Sequence, residues 1–237
     1  DQEFSFHDIL VEFHGLIFDL FFLGIILALY ESYRDKKDKT ERYQEEIDDF
    51  RKWQSDEAKY KIIGNVRRLY NLGTTEFILN HCYLENGDLT KFNFTNSSFA
   101  FANLESACFS RSSLNNCNFW GADCRKLFCV ETVATNANFE KVDLSNSTFT
   151  KCDLSSVNLR NANLKNAKIC GTDFNNADMS FANLDEIKVY DENWLETLKL
   201  NNVKGIDQLS EEYEIRPEGL DRDEIGEFWT VTRKTST

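Results

Sequence analysis

From Leu79 to Val189 the chain places a core-type residue at every fifth position, without one insertion or deletion. The series opens Leu79, Leu84, Leu89, Phe94, Phe99 and closes Phe174, Met179, Leu184, Val189. It has 23 centres, of which 20 are Leu, Ile, Val, Phe or Met; the three exceptions, Cys124, Cys129 and Ala134, are consecutive. Two residues before most centres stands a small one, such as Cys82, Ala102, Ala107, Ala162 or Ala182. A period of five fits neither the 3.6 of a helix nor the 2 of a strand. It fits a chain that turns a corner every five residues, with one large and one small side chain inward and three polar residues facing water. A fixed period of this kind specifies a solenoid, in which each turn packs only on its neighbours.

Segments such as Ala102-Asn103-Leu104-Glu105-Ser106 and Ala162-Asn163-Leu164-Lys165-Asn166 resemble the pentapeptide-repeat family, whose motif is A(D/N)LXX. The resemblance implies a mainly β fold, a right-handed quadrilateral β-helix with four pentads per coil. Twenty-three pentads then give about six coils, and at a strand spacing of about 4.8 Å a rod roughly 28 Å long. Residues 20 apart should stack, which sets Leu79, Phe99, Phe119, Phe139, Leu159 and Met179 in one column and favours ring stacking there. The coil at 120–134 lacks large centres, so a bulge or a thin core is expected in it.

Ahead of the repeats, residues 9–30 form a nearly continuous apolar run interrupted by Glu12, His14 and Asp19. Twenty-two residues at 1.5 Å each reach about 33 Å, enough to cross a hydrocarbon core. No basic segment precedes the run and no small-residue cleavage site follows it, which argues against a signal peptide. Arg34, Lys36, Lys37, Lys39 and Arg42 follow directly. The positive-inside rule therefore predicts a single pass through an inner or plasma membrane, N-terminus outside and β-helix in the cytoplasm. At 100° per residue, Asp8, Glu12, Gly15 and Asp19 fall within about 60° on one face. An acid at mid-membrane is costly, so this stripe is expected to face another helix or a water-filled path. Three readings stay open: an oligomer or partner contact, an ion pathway lined by Glu12 and Asp19, and a helix lying in the membrane plane.

The chain is thus expected to divide into a hydrophobic helix (1–33), a charged helical connector and N-terminal cap (34–76), the β-helix (77–190), and a C-terminal cap with an acidic tail (191–237). Ser55 is a plausible helix N-cap, followed by Asp56 and Glu57 in the first turn. Ala58, Ile62, Val66 and Leu69 mark an apolar face that should cover the open end of the solenoid. Trp194, Leu195 and Leu198 suggest a second, short cap.

Composition narrows the function. Net charge is −13, but residues 77–190 hold 12 acids and 10 bases, or −2, so the rod is close to neutral. That disfavours nucleic-acid binding, which needs a basic stripe, and also DNA mimicry of the gyrase-binding kind that the family resemblance raises. Seven cysteines occur without a CxxC; most occupy inward positions and read as buried thiols. No Walker lysine loop, HExxH, GxSxG or metal-spaced Cys/His cluster is present. No catalytic residue, metal, cofactor or small-molecule substrate is therefore expected. One surface feature departs from the repeat: Trp120, Phe128, Val130 and Val133 occupy outward slots. They read either as an exposed patch for a protein partner or as residues turned inward by a bulge. Together these features predict a membrane-anchored interaction module that oligomerises through its helix. A small ion-conducting assembly is the first alternative and a gyrase-binding mimic the second.

Overall fold

The computed structural model describes residues 6–220 and 227–234, with side chains from 13 to 217 and from 228 to 234. It divides into two units, residues 1–44 and 45–237.

The first unit is helical and belongs to α1 (Phe6–Phe50). Its large apolar side chains from Phe13 to Leu29 are all more than 40% exposed. The following segment is charged on every side. Such a helix holds itself together through pairs one turn apart, here Arg34–Asp38, Lys37–Glu41 and Asp35–Lys39, the last at 2.6 Å.

The second unit opens with the end of α1 and then α2 (Asp56–Asn71), whose N-cap Ser55 accepts from the Ala58 amide. Ala58, Ile62, Val66 and Leu69 are buried, as their spacing predicts, and so is Ile47 of α1. Gly87 in the first coil sits close against α2 and against its own turn. A Cβ there would lie 3.1 Å from Ile63 Cδ1 and 2.7 Å from the Leu84 carbonyl oxygen. Arg51 donates to the Asn80 carbonyl at 2.8 Å, tying the end of α1 to the first coil.

Residues 77–189 then wind as a right-handed four-sided β-helix. Parallel bridges join residues 20 apart, from Ile78↔Ser98 to Asn163↔Asn183. One side is regular enough to form strands β1 (Phe128–Val130), β2 (Thr148–Thr150), β3 (Lys168–Cys170) and β4 (Ile187–Val189). Corners repeat one geometry. At most of them the amide three residues after a centre bonds back to that centre, as Gly87 N does to Leu84 O at 2.9 Å. Every fifth residue from His81 to Glu186 has positive φ. A turn with φ > 0 at its third residue favours Gly and Asn, which explains the many asparagines at these slots.

The core is a stack of centres. Phe99, Phe119 and Phe139 lie in one column with ring centroids 4.9 and 4.4 Å apart and planes within 5° of parallel. Polar residues at the small inward position are satisfied by a recurring bond: Ser112 Oγ donates to Leu89 O (2.7 Å), Cys117 Sγ to Phe94 O (2.9 Å) and Thr132 Oγ1 to Phe109 O (2.9 Å). Cys152 makes the same contact with Cys129 O at 3.3 Å. Cys117 and Cys152 thus act as small donors, and burial pushes the Cys82 and Cys117 thiols up to about 12.

The expected bulge at 120–134 is not formed. Bridges Asp123↔Asp143 and Val133↔Asp153 keep the 20-residue register through it. Cys124, Cys129 and Ala134 are as buried as the larger centres elsewhere. The corner turns and the bonds between coils fix the backbone, so small centres do not break the winding.

At the far end α3 (Trp194–Leu200) brings Trp194 to 6.3 Å from Phe174. Gly205, at φ 84, comes so close to Ser180 that an added Cβ would meet its Cα at 2.6 Å. After α4 (Ile206–Glu212), strands β5 (Tyr213–Leu220) and β6 (Glu227–Arg233) form a hairpin, and β6 pairs antiparallel with β4. The tail therefore extends the sheet, with Val231 fully buried.

Candidate functional surfaces

With four pentads per coil, the rod has four sides, named by their centres. The first carries Leu79, Phe99 and Phe119, the second Leu84 and Leu104, the third Leu89, Phe109 and Cys129, the fourth Phe94 and Leu114. Counting each side with the corner that follows it, the charges separate. Within residues 77–190 the third side has Lys91, Arg111, Lys151, Lys168 and Lys188 against Asp88 and Glu131, a net +3. The second has six acids against Arg125, Lys126 and Lys165, a net −3. The fourth has Asp153 and Asp173 and no base, a net −2. The first balances Glu140 and Asp178 against Lys141 and Arg160. A rod of −2 overall is thus strongly sided.

Part of this charge is locked. Arg125 Nη2 reaches Glu105 at 2.6 Å one coil away and Asp123 at 2.7 Å on its own coil. That guanidinium holds the Asp123 carboxyl below the usual carboxylate range. Amide ladders occupy other columns: Asn158 donates to Asn138 at 3.0 Å and Asn138 to Asn118 at 3.1 Å.

The four outward apolar residues anticipated as a patch are placed on different sides. Trp120 is 36% exposed on the first side. Phe128, at 45%, lies with Val130 on the opposite, third side, and Val133, at 38%, lies on the fourth. The structure therefore keeps Phe128, Val130 and Val133 near one another and separates Trp120 from them.

Trp120 instead joins two aromatics that the sequence reading passed over. His81 stacks on Phe101 with centroids 5.0 Å apart and planes 3° from parallel. Phe101 meets Trp120 edge-on at 4.8 Å. Phe101 is 47% exposed although it sits at φ 58, a conformation bulky residues rarely adopt. Its ring covers Gly121, where an added Cβ would lie 3.0 Å from it. A shallow pocket of about 240 Å³ adjoins the strip, lined by Lys52, Gln54, His81, Cys82, Tyr83, Phe101 and Asn103. The signal was available: an aromatic at a corner slot, in Phe101-Ala102-Asn103-Leu104 and again in Phe181-Ala182-Asn183-Leu184, where Asn is the commonest residue.

In the helix, Gly15 and Asp19 are exposed, and a Cβ added at Gly15 would meet nothing within 4 Å. The side chains of Asp8 and Glu12 lie outside the described residues, so the four-residue stripe is set by helical position alone. Among the described residues no group of three His, Cys, Asp or Glu is arranged to hold a metal ion.

The family described as Pentapeptide repeats matches in eight copies, over residues 78–116, 112–150 and 152–188. Among solved structures, HetL from the cyanobacterium Nostoc sp. strain PCC 7120, a protein involved in heterocyst differentiation regulation, is similar at 24% identity over 46% of this chain, with a TM-score of 0.32. This chain spans 60% of the length of that protein. A pentapeptide-repeat protein of the Arabidopsis thaliana thylakoid lumen is 21% identical over 52% of this chain and 74% of its own, with a TM-score of 0.23. QnrB1, a plasmid-mediated fluoroquinolone resistance protein, is 17% identical over 47% of this chain and 68% of its own, with a TM-score of 0.21. No curated protein matches the chain.

Proposed function

This chain is a pentapeptide-repeat protein through residues 78–188, and from that premise we propose that it is a membrane-anchored interaction module whose rod presents binding surfaces to protein in the cytoplasm. The observation that carries the anchor is the apolar stretch of α1. It is long and apolar enough to cross a membrane, and its described apolar side chains from Phe13 to Leu29 are exposed. A contiguous apolar surface of this size in water would drive association or insertion. The basic residues from Arg34 to Arg42 favour the cytoplasmic side for the rod.

The interaction role follows from how the rod uses its residues. Two of five point inward, and the outward ones are organised into corner turns, amide ladders and charge pairs. The protein is read as non-enzymatic, and its surfaces as contacts for other proteins. The +3 third side and the neutral aromatic first side also argue against an acidic DNA mimic.

Alkaline carbonate washing of membranes from cells making the full chain tests the anchor. The protein should stay in the pellet, and removal of residues 1–33 should release a soluble rod. Recovery of the full chain in solution without detergent would overturn the anchor.

A further inference from the structure

We infer that the first side of the β-helix is a contact surface for the same side of a second copy of this chain. The inference concerns the rod alone and stands whether or not residues 9–30 cross a membrane.

Three independent features build the surface. His81, Phe101 and Trp120 form a continuous row of exposed rings, in contact at 5.0 and 4.8 Å. Both His81 and Phe101 are held at φ 58, where Asn is the easier residue, as it is at Asn161 in the same column. The core uses neither ring. Gly121 leaves the space that Phe101 occupies. Backbone strain and ring exposure are thus both accepted to present an aromatic row that the winding itself does not require.

Charge selects the occupant. A two-fold contact sets a surface against itself, so it must be self-complementary. Three sides would meet like charge: −3 on the second, +3 on the third, −2 on the fourth. The first is balanced, with Glu140 beside Lys141 and Arg160 offset by Asp178, and its aromatic coils carry no charge at all, so two copies can meet along it without net repulsion. A basic or acidic partner would be better served by another side.

The test uses the full chain in detergent and in native membranes, with benzoylphenylalanine replacing Phe101. Irradiation should give a covalent dimer whose joined peptides map to residues 78–141 of both copies. The same photoreactive residue at Phe128, on the opposite side, should give at least tenfold less dimer. Adding Trp120→Arg should reduce the Phe101-position dimer to the Phe128 level while the melting temperature stays within a few degrees. If the substituted protein does not fold, the probe moves to Trp120 and His81→Asn takes the place of Trp120→Arg. No dimer, equal dimer from both positions, a crosslink within one chain, or a crosslink to a different protein overturns the inference. Carbonate extraction of the same samples reports the anchor separately, so a failed anchor with an intact crosslink is distinguishable from the reverse.

Discussion

Phe119 and Phe139 lie one coil apart, with ring centroids 4.4 Å from each other and planes 5° from parallel. This contact repeats the one between Phe99 and Phe119 and runs through the middle of the rod. Phe139→Ala should cost about 3–5 kcal/mol, since it removes a buried ring from a narrow core that cannot collapse around the gap. Leu144→Asp should prevent folding altogether, because a charge would be buried without a partner. Urea denaturation of the detergent-solubilised chain measures the first. A soluble Leu144→Asp protein with native circular dichroism would sink the inward assignment of these centres.

The buried thiols set a pH limit. Cys82 and Cys117 are pushed up to about 12 in the folded state by burial, against about 8.5 in an unfolded chain. A raised pKa favours the fold fully below about pH 8.5, and that contribution is lost as pH rises from there toward 12. Stability should fall by about 1.4 kcal/mol per pH unit for each such thiol in this window. Denaturation midpoints at about pH 7, 8.5 and 10, chosen to bracket the unfolded thiol value, read the slope, and Cys117→Ala should flatten it. An equal slope in that variant would remove the thiol from the explanation.

Arg51 joins α1 to the first coil through the Asn80 carbonyl, and its side chain is only 17% exposed. Arg51→Ala should cost about 1.5–3 kcal/mol, the range for a charged hydrogen bond. Hydrogen exchange should quicken at residues 45–50 and at the first coil while the later coils keep their protection. Uniform loss along the rod would show instead that the end cap and the coils unfold as one.

In the proposed span, Asp19 is the acid nearest the middle of the membrane. Asp19→Leu should keep or improve insertion, which is disfavoured by about 2.5–3.5 kcal/mol for a central acid, and should weaken assembly. The subunit count in nanodiscs decides. An unchanged count would take assembly away from the stripe, and ion flux in reconstituted vesicles would then be the remaining test of it.

The rod was legible because its register is written in every pentad, and the corner geometry enforces that register even where Cys124, Cys129 and Ala134 replace large centres. The cap helix was legible from Ser55 and the spacing of Ala58, Ile62, Val66 and Leu69. The hairpin was not. Pro217 and the surrounding acids hide the alternation of β5, and the partner strand β4 belongs to the last coil, so the pairing exists only once the solenoid is wound. The aromatic strip escaped for a related reason. His81, Phe101 and Trp120 are 20 and 19 residues apart, and each looks isolated until consecutive coils are stacked.

Along the rod, the bonds between coils join each residue to those about 20 away, as Leu79 N does to Ser98 O and Ser98 N to Phe77 O. A steady pull on the two ends of such a structure loads one pair of neighbouring coils at a time rather than shearing the whole sheet. Each coil that lets go frees about 20 residues, or about 68 Å of extended chain. The protein would lengthen under tension in a staircase of near-equal steps and could rewind from whatever coils were left intact.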